Sequence, residues 1–399
     1  MSQPNTAPSS DNPLSFLTPQ NLTVQPPIKT NSIKNFNPAT IASDAASTNI
    51  VIHPRFPKLA TTFLNHKRLK GSPAEKALYT PAFTWQDLTS RLITARPLVF
   101  MGSHDYTMLR DGRRIPDPRT QWDRNGTARE GENEDLRLEN YLSYDEILLS
   151  SLIGVSGRSF FINDGARNNC GRPGKEGTFE SRGVIVGLVG ARFERMGRMD
   201  SILMLPPSKE TVQDGEVTAM VLKIFGVERD SRVLEGKKGF DVGVYRARMR
   251  ITAEILLAEA GRFVGLGLGV WEHDDCQAEE YVRAFGEAIG QVDVSKISTI
   301  EFAWIAVSRE RQEEIGLVAK KKGIRVLFSK RNPAAKLEGD GELLVLSYAW
   351  DGNSFPGNEY WSGSLMDSGD PAAACMSTIG ELHNPLVNPY TKRIVVAGS

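Results

Sequence analysis

The chain has 399 residues, 40% of them hydrophobic, enough for one large core or two modest ones. Lysine plus arginine equals aspartate plus glutamate at 48 each, so the formal charge is zero and leaves no electrostatic footprint for nucleic acid or an anionic membrane. Three widely spaced cysteines, Cys170, Cys276 and Cys375, give neither a disulfide framework nor a zinc cluster and point to a reducing compartment.

Residues 1 to about 48 are rich in Pro, Ser, Thr and Asn and lack periodic apolar positions. Such a segment cannot bury enough surface to offset its ordering entropy, so 1–48 reads as a disordered tail. No secretory signal opens it, and no later run reaches the ~18 apolar residues of a membrane helix. The expected location is the cytoplasm, with the nucleus as the alternative. Residues 49–399 read as a single α/β domain with an N-terminal helical extension. Trp85, Leu88, Leu92 and Ile93 recur at helical spacing over 84–96. Pro97 ends that helix, and 98–101 is a short strand. Residues 105–135, crowded with Asp, Arg, Gly and Pro, read as one long polar loop. Ser143 opens a helix over 143–152, with Glu146 completing a capping box. Strands are predicted over 159–163, 183–189, 201–205, 263–270, 299–307, 324–328 and 343–349. Helices are predicted over 243–259, 278–289, 309–322 and 371–382. Several strands are unbroken apolar runs, as expected when both faces are covered. Their alternation with helices favours a layered α/β fold with a mostly parallel or mixed sheet, whose ligands sit beyond the carboxyl ends of the strands.

The most informative segment follows the last of these strands. Trp350 ends the strand and Asp351, Gly352 and Asn353 follow; next come Pro356, Gly357, Asn358, Glu359, Tyr360, Trp361, Ser362 and Gly363. Asp367, Ser368 and Gly369 then lead to Asp370, which stands as N-cap to a helix opening at Pro371. A glycine-rich loop between a strand end and a helix N-terminus offers backbone N–H groups and a helix dipole to a diphosphate. Gly352, Gly357, Asn358, Trp361, Gly363, Ser368 and Gly369 are therefore the binding candidates. Asp351, Glu359, Asp367 and Asp370 would repel a phosphate, so ribose hydroxyls, a metal or a cationic leaving group suit them better. The plainer alternative is a polar loop with a capping aspartate, and Trp350 and Trp361 are more often core anchors than ligand platforms.

A second segment carries Asn163, Asp164, Arg167 and Asn168 after a strand, whose side chains can read a base or a ribose. Farther on, Arg192 can pair with a phosphate bidentately, and Glu194 stands two residues on. Against these roles stand a simple turn for Asn163 and Asp164 and an ion pair for Arg192 and Glu194. Gly265, Gly267 and Gly269 miss the dinucleotide fingerprint and read as a closely packed strand. His53, His66, His104, His273 and His383 fall at no metal-ligand spacing, so no metal site and no cofactor is expected, although clustered carboxylates would permit a divalent ion. His273-Asp274-Asp275 reads as the opening of the next helix, and Lys320, Lys321, Lys322, Arg325 and Lys330 as a solvated face. There is no nucleophile elbow, P-loop or zincin motif.

Three blocks carry a resemblance: Asn163-Asp164-Gly165-Ala166-Arg167-Asn168, Gly187-Leu188-Val189-Gly190-Ala191-Arg192-Phe193-Glu194, and the stretch from Tyr348 through Ser377-Thr378-Ile379-Gly380-Glu381-Leu382-His383-Asn384-Pro385. Together they resemble the MavL-like arginine-specific family, similar to macrodomains of the poly(ADP-ribose) glycohydrolase (PARG) kind, over roughly residues 50 to 395. The resemblance implies a macrodomain-like fold, a mixed central sheet flanked by helices, with ADP-ribose in a cleft at the strand ends. It implies removal of mono-ADP-ribose from arginine side chains, so the partners expected are ADP-ribose and an ADP-ribosylated protein. The loop from Gly357 to Gly369 would match the family's diphosphate loop; Asp351, Glu359 and either Asp367 or Asp370 would match its acidic site. The chain lacks a triple glycine followed by Gln-Glu-Glu, which disfavours polymer cleavage. Hydrolysis through an oxocarbenium-like state suits such acids, which can orient ribose, activate water and receive the guanidine. Crowding should raise the pKa of at least one of them. A non-catalytic ADP-ribose reader and an interaction protein with a vestigial cleft are the competing readings.

Overall fold

The computed structural model describes residues 14–17, 23–101, 105–227, 239–259, 263–264, 272–339, 341–366 and 369–398. Helix α1 (Pro38–Ser47) leads into β1 (Asn49–Ile52). Helices α2 (Phe56–Lys70), α3 (Pro73–Leu78) and α4 (Trp85–Thr94) follow, then the hairpin β2 (Tyr106–Met108) and β3 (Arg114–Pro116), and helices α5 (Arg119–Arg124) and α6 (Tyr144–Ser150). Next come β4 (Ile153–Phe160), β5 (Arg182–Val189), α7 (Ser201–Met204), α8 (Gly215–Ile224) and α9 (Val242–Glu259). The chain continues through β6 (Phe263–Val264), α10 (Gln277–Ile289), β7 (Thr299–Ala303), α11 (Arg309–Lys320) and β8 (Arg325–Ser329). It closes with β9 (Val345–Trp350), α12 (Gly369–Met376), α13 (Ile379–Leu382) and β10 (Ile394–Val396).

The main sheet has the order β10-β1-β4-β5-β9 and is mixed: β1 with β10 and β5 with β9 are parallel, while β4 is antiparallel to both neighbours. A second, all-parallel sheet runs β6-β7-β8, with β6 lying beside β9. Helices cover both faces, as the alternation along β4 shows. Ser156 Oγ bonds Glu259 of α9, while the next residue, Gly157, faces Thr48 and His383 at the ends of α1 and α13. The fold class is therefore α/β with a mixed sheet between helices. No helix among the described residues is long and apolar enough to cross a membrane.

Local chemistry explains the elements that match expectation. Thr84 with Asp87 and Ser143 with Glu146 form reciprocal capping boxes that start α4 and α6. His273 and Asp274 donate their N–H groups to Gln277 Oε1, which opens α10.

Other expectations are corrected. Residues 31 to 47 are not tail. Asn37 caps α1, Ile33, Ile41 and Ala45 bury into a small cluster with Leu382, and Asn31 Nδ2 donates to Ala374 O and to Ser377 O at 2.7 Å. Few apolar residues suffice because they point into a core the rest of the chain supplies. The loop expected over 105–135 contains β2, β3 and α5, pinned by the buried Trp122, whose Nε1 donates to Thr107 at 3.0 Å. The apolar run 201–205 is the helix α7, since so short a run does not distinguish a strand from a buried helix. The strand expected over 159–163 ends at Phe160, where β4 has already run for eight residues. The helix expected over 371–382 begins at Gly369 and breaks after Met376, where Thr378 Oγ1 meets Ser159 Oγ at 2.8 Å. Beyond Val264, the strand expected to 270 lies outside the described residues, together with Gly265, Gly267 and Gly269.

Candidate active site

The site is built where β5 and β9 end side by side, Val189 opposite Trp350. The chain leaving β9 must fold back at once over β5. Gly352 permits this: its φ is 70°, and a Cβ there would lie 2.4 Å from Val189 Cγ2. Beneath this turn lies Arg192, fully buried. Its Nε donates to Asp200 at 3.1 Å, Nη1 to Asp351 O at 3.1 Å and to Asn353 Oδ1, and Nη2 to Ile147 O at 3.1 Å. Asp200 is shared with the equally buried Arg248 of α9 at 3.3 Å, whose Nη2 holds Ser151 O and Val189 O. Arg192 is thus a strut that fixes both strand exits, and its ion pair is with Asp200 rather than with Glu194.

The next loop is a 3-10 turn, Asn358–Ser362, entered through Gly357 at φ 103° and Asn358 at φ 35°, and left through Gly363 at φ 94°. Gly357 N–H donates to Asp370 Oδ1 at 2.6 Å. Asn358 is buried rather than presented to a ligand: its Nδ2 donates to Asp351 Oδ2, and its Oδ1 accepts from Phe100 N–H at 2.9 Å. Asn358 therefore aims the Asp351 carboxyl. Trp361 is 3% exposed, with Nε1 on Pro356 O at 2.8 Å, and is a core anchor rather than a stacking platform.

Asp351 and Glu359 are half-buried, Asp370 is fully buried, and Glu194 is exposed at the rim. Asp370 is not the cap of its own helix; it sits in the first turn of α12 and reaches across to the loop. Burial pushes the Asp351 carboxyl well above the usual carboxylate range, and the charges of Asp370, Glu359 and Glu194 add to this against Arg192. Burial raises Asp370 too, helped by Glu359 and opposed by the N–H groups of Gly357 and Asp351 and by Arg96. Glu194 is held up by the protein mass around it and then by Glu359. Asp351 and Asp370 act on each other, and burial in one cluster disfavours ionising both. Asp351 accepts from Asn358 and its rise is opposed by Arg192, while Asp370 accepts from the Gly357 and Asp351 N–H groups; burial outweighs these in both. Asp367 and Ser368 lie outside the described residues. No group of three or more His, Cys, Asp or Glu among the described residues could hold a metal ion.

Alongside runs a cavity of about 590 Å³, walled by β9 at Tyr348 and Ala349, by α12 at Gly369 and Ala373, and by the turn after β4 at Gly165 and Ala166. Asp351, Glu359, Asp370 and Glu194 do not line the cavity; Ala349 and Gly369, which do, are two and one residues from Asp351 and Asp370 in sequence. Arg167 and Asn168 stand exposed at its rim. Asn163 and Asp164 shape that rim rather than face the cavity. Asn163 Oδ1 accepts from Gly165 N–H at 2.9 Å, and Asp164 accepts from Ala166 N–H, Asn169 Nδ2 and Asn332 Nδ2. Burial would raise Asp164, but those hydrogen bonds more than offset it and hold its carboxyl below the usual range.

Two residues that the sequence did not single out belong to this region. Trp304, closing β7, is 62% exposed on the cavity wall with φ 60°, its Nε1 held on Arg331 O at 2.9 Å. A bulky side chain in that backbone region is an outlier, kept where the surroundings over-determine it. A large aromatic at the carboxyl end of a buried strand was the available signal. The other is Arg96, just after α4, whose guanidinium lies 4.0 Å over the Trp350 ring. Nothing in its sequence neighbourhood marks it.

A nucleotide-sized, mostly apolar cavity next in sequence to a cluster of carboxyls with raised pKa values suits a hydrolase acting on a glycosidic bond. Over residues 17–220 and 225–397 the chain matches the family described as ADP-ribosylhydrolase MavL-like, and it belongs to that family. It is similar to two Drosophila melanogaster proteins. One is ADP-ribosylarginine hydrolase CG3568, 35% identical over 400 residues that cover 88% of this chain and 77% of that protein. The other is ADP-ribosylarginine hydrolase CG2909, 32% identical over 400 residues that cover 88% of this chain and 78% of that protein.

Proposed function

We propose that the protein hydrolyses the N-glycosidic bond joining mono-ADP-ribose to an arginine side chain of a modified protein, on a single macrodomain-like α/β domain, residues 49–399, extended upstream by α1. The observation that carries this reading is Asp351: a carboxyl aimed by Asn358, pushed well above the usual carboxylate range, two residues beyond the wall of a nucleotide-sized cavity at Ala349. The nucleotide lies in the cavity, its diphosphate against the N–H groups around Gly363 and Gly369 and the first turn of α12. The distal ribose then reaches Asp351 and Glu359, and the cationic guanidinium leaves past Glu194.

In the reaction the bond between the anomeric carbon and the guanidinium nitrogen breaks, and its electron pair stays with the nitrogen. Asp351 gives that nitrogen its proton as the guanidine leaves. Glu359 takes a proton from the water whose oxygen adds to the anomeric carbon. The products are ADP-ribose and an unmodified arginine, and proton return from Glu359 to Asp351 through solvent resets the site. Asp370, buried behind the loop, holds Gly357 in place and contributes charge rather than contact.

Incubation with an arginine-ADP-ribosylated protein tests the reading: free ADP-ribose should appear with regenerated arginine. Calorimetric binding of ADP-ribose with no turnover would select the reader instead, and neither binding nor turnover a vestigial cleft.

A further inference from the structure

Upstream of α1 the chain forms a strap. Val24, Pro26 and Ile28 are half-buried, while Thr23, Gln25, Pro27 and Lys29 between and beside them are exposed. Val24 and Ile28 pack on the cluster that holds Tyr360, Trp361 and Ala374. Gly171 lets the strap come close, since a Cβ there would lie 2.2 Å from Ile28 Cδ1. Two adjacent residues then reach two different elements. Thr30 Oγ1 donates to Gly171 O at 2.6 Å, and the buried Asn31 Nδ2 donates to Ala374 O and to Ser377 O at 2.7 Å. Two residues on, Ile33 N–H donates to Glu381 Oε2 at 2.8 Å and fastens the strap to α13.

Both elements are walls of the cavity. Gly171 belongs to the loop 163–172, closed by Asn163 Nδ2 on Arg172 O at 2.9 Å, and Gly165 and Ala166 of that loop line the cavity. Ala374 belongs to α12, whose Gly369 and Ala373 line it and whose Asp370 accepts from Gly357 N–H. The last carbonyls of a helix have no donor within it. In α12, Ser377 Oγ donates to Ala373 O at 2.7 Å, Asn31 to Ala374 O, and Ile162 N–H to Met376 O at 2.9 Å. A side chain from the strap thus caps the helix whose first turn carries Asp370. Eight residues of helix span about 12 Å and move as one rod. Resting on the reading that the cavity receives the nucleotide of ADP-ribose, we propose that Thr30 and Asn31 are positioning residues: side by side on the strap, they tie the loop 163–172 to α12 from outside the cavity, set the spacing of these two walls, and through α12 hold Asp370 against Gly357. Neither residue lines the cavity, so both act through the walls they tie. The tie is reciprocal: a ligand that needs the walls at this spacing holds the strap down by the same factor as the strap favours the ligand.

The test combines residue-resolved amide hydrogen exchange with calorimetric binding of ADP-ribose, on the full chain as wild type, Asn31→Leu, Thr30→Val and Thr30→Ser. Asn31→Leu leaves two buried carbonyls without their donor, which shifts a local opening equilibrium by roughly tenfold. In the ligand-free protein the Gly357 amide, which belongs to the loop and not to the strap, should then exchange about tenfold faster, while the amides of β5 keep their wild-type rates. The Kd for ADP-ribose should rise about tenfold in Asn31→Leu and severalfold in Thr30→Val, and Thr30→Ser, which keeps the hydroxyl, should restore it. In the wild type, ADP-ribose should slow exchange of the Ile33 amide. Unchanged Gly357 exchange in Asn31→Leu, equal acceleration at β5 and at Gly357, or wild-type affinity in both Asn31→Leu and Thr30→Val overturns the proposal. Should Asn31→Leu fold poorly, Thr30→Val decides: Thr30 is exposed, its loss must still weaken binding, and Thr30→Ser must reverse that loss. If the wild type binds no ADP-ribose, the hydrolase reading fails on its own, and the exchange comparison, made without ligand, still judges whether the strap holds the loop.

Discussion

Asp351→Asn is the substitution that isolates the chemical step. The new side chain is isosteric, and its amide oxygen can still accept from Asn358 Nδ2, so the loop between β9 and α12 keeps its shape. What is lost is the proton. A positioned general acid contributes roughly 10² to 10⁴ in rate, or about 3–5 kcal/mol of the barrier, and kcat should fall by that factor. Stability at neutral pH should hold or rise. The folded-state pKa of Asp351 lies above its unfolded value, so the folded protein loses stability as pH climbs through that interval, and a neutral amide abolishes the loss. ADP-ribose affinity should likewise hold or improve, because one negative charge has gone from beside an anionic ligand. The assay is single-turnover release of ADP-ribose, paired with calorimetric binding and thermal unfolding on the same preparations. Retention of more than a tenth of the wild-type rate, or parallel loss of rate and binding, would refute the assignment of the proton to Asp351.

Arg192→Met leaves Asp200 with Arg248 alone and strips the strut from both strand exits. Breaking such a buried pair costs about 3–5 kcal/mol, so urea unfolding should shift by that amount, and a change below ~1 kcal/mol would mean the strut is idle. Trp304→Ala should weaken ADP-ribose binding by about 1–3 kcal/mol, the usual worth of a base–aromatic stack, with kcat nearly constant; an unchanged Kd would remove Trp304 from the cleft. His383, buried against Tyr348, is pushed down by burial to about 3. The unfolded chain protonates near 6.5, so stability is full above that value and falls as pH drops from 6.5 towards 3. His383→Phe should flatten this part of the stability–pH curve, and an unaltered slope would show that other groups set it.

What could be read from the sequence follows the range of the forces involved. Capping boxes, apolar periodicity and unbroken apolar strands are short-range, so Ser143 with Glu146, the helical spacing from Trp85 to Ile93 and the strand ending at Trp350 were visible in the chain itself. The acids Asp351 and Glu359 were visible because they crowd a glycine-rich strand exit. The roles of Arg192, Asn358 and Trp361 were not, because each depends on a partner remote in sequence or on backbone folded back upon itself: Ile147 and Asp351 for Arg192, Phe100 for Asn358, Pro356 for Trp361. Arginine, asparagine and tryptophan beside a ligand loop look the same whether they touch the ligand or brace the loop. Helix α1 escaped for a related reason: its apolar side chains are too few to make a core and enough to join one.

The same partition explains why a neutral protein can hold so acidic a centre. Beneath the strand exits, Arg192 and Arg248 share Asp200, leaving one net positive charge, and Arg96 supplies a second from the other side of Trp350. Facing them are Asp351, Asp370, Glu359 and Glu194. These buried positive charges are fewer than the four carboxylates, and Arg195, which also acts on Glu194, is already paired with Asp123, so burial and crowding push Asp351, Asp370 and Glu194 up. Filling the deficit with more arginine would hold every carboxyl ionised and leave nothing to protonate the guanidine. Removing the arginines would neutralise the acids and leave no base for water. The surplus of acid over buried cation is therefore the condition under which one carboxyl can donate a proton while its neighbour accepts one.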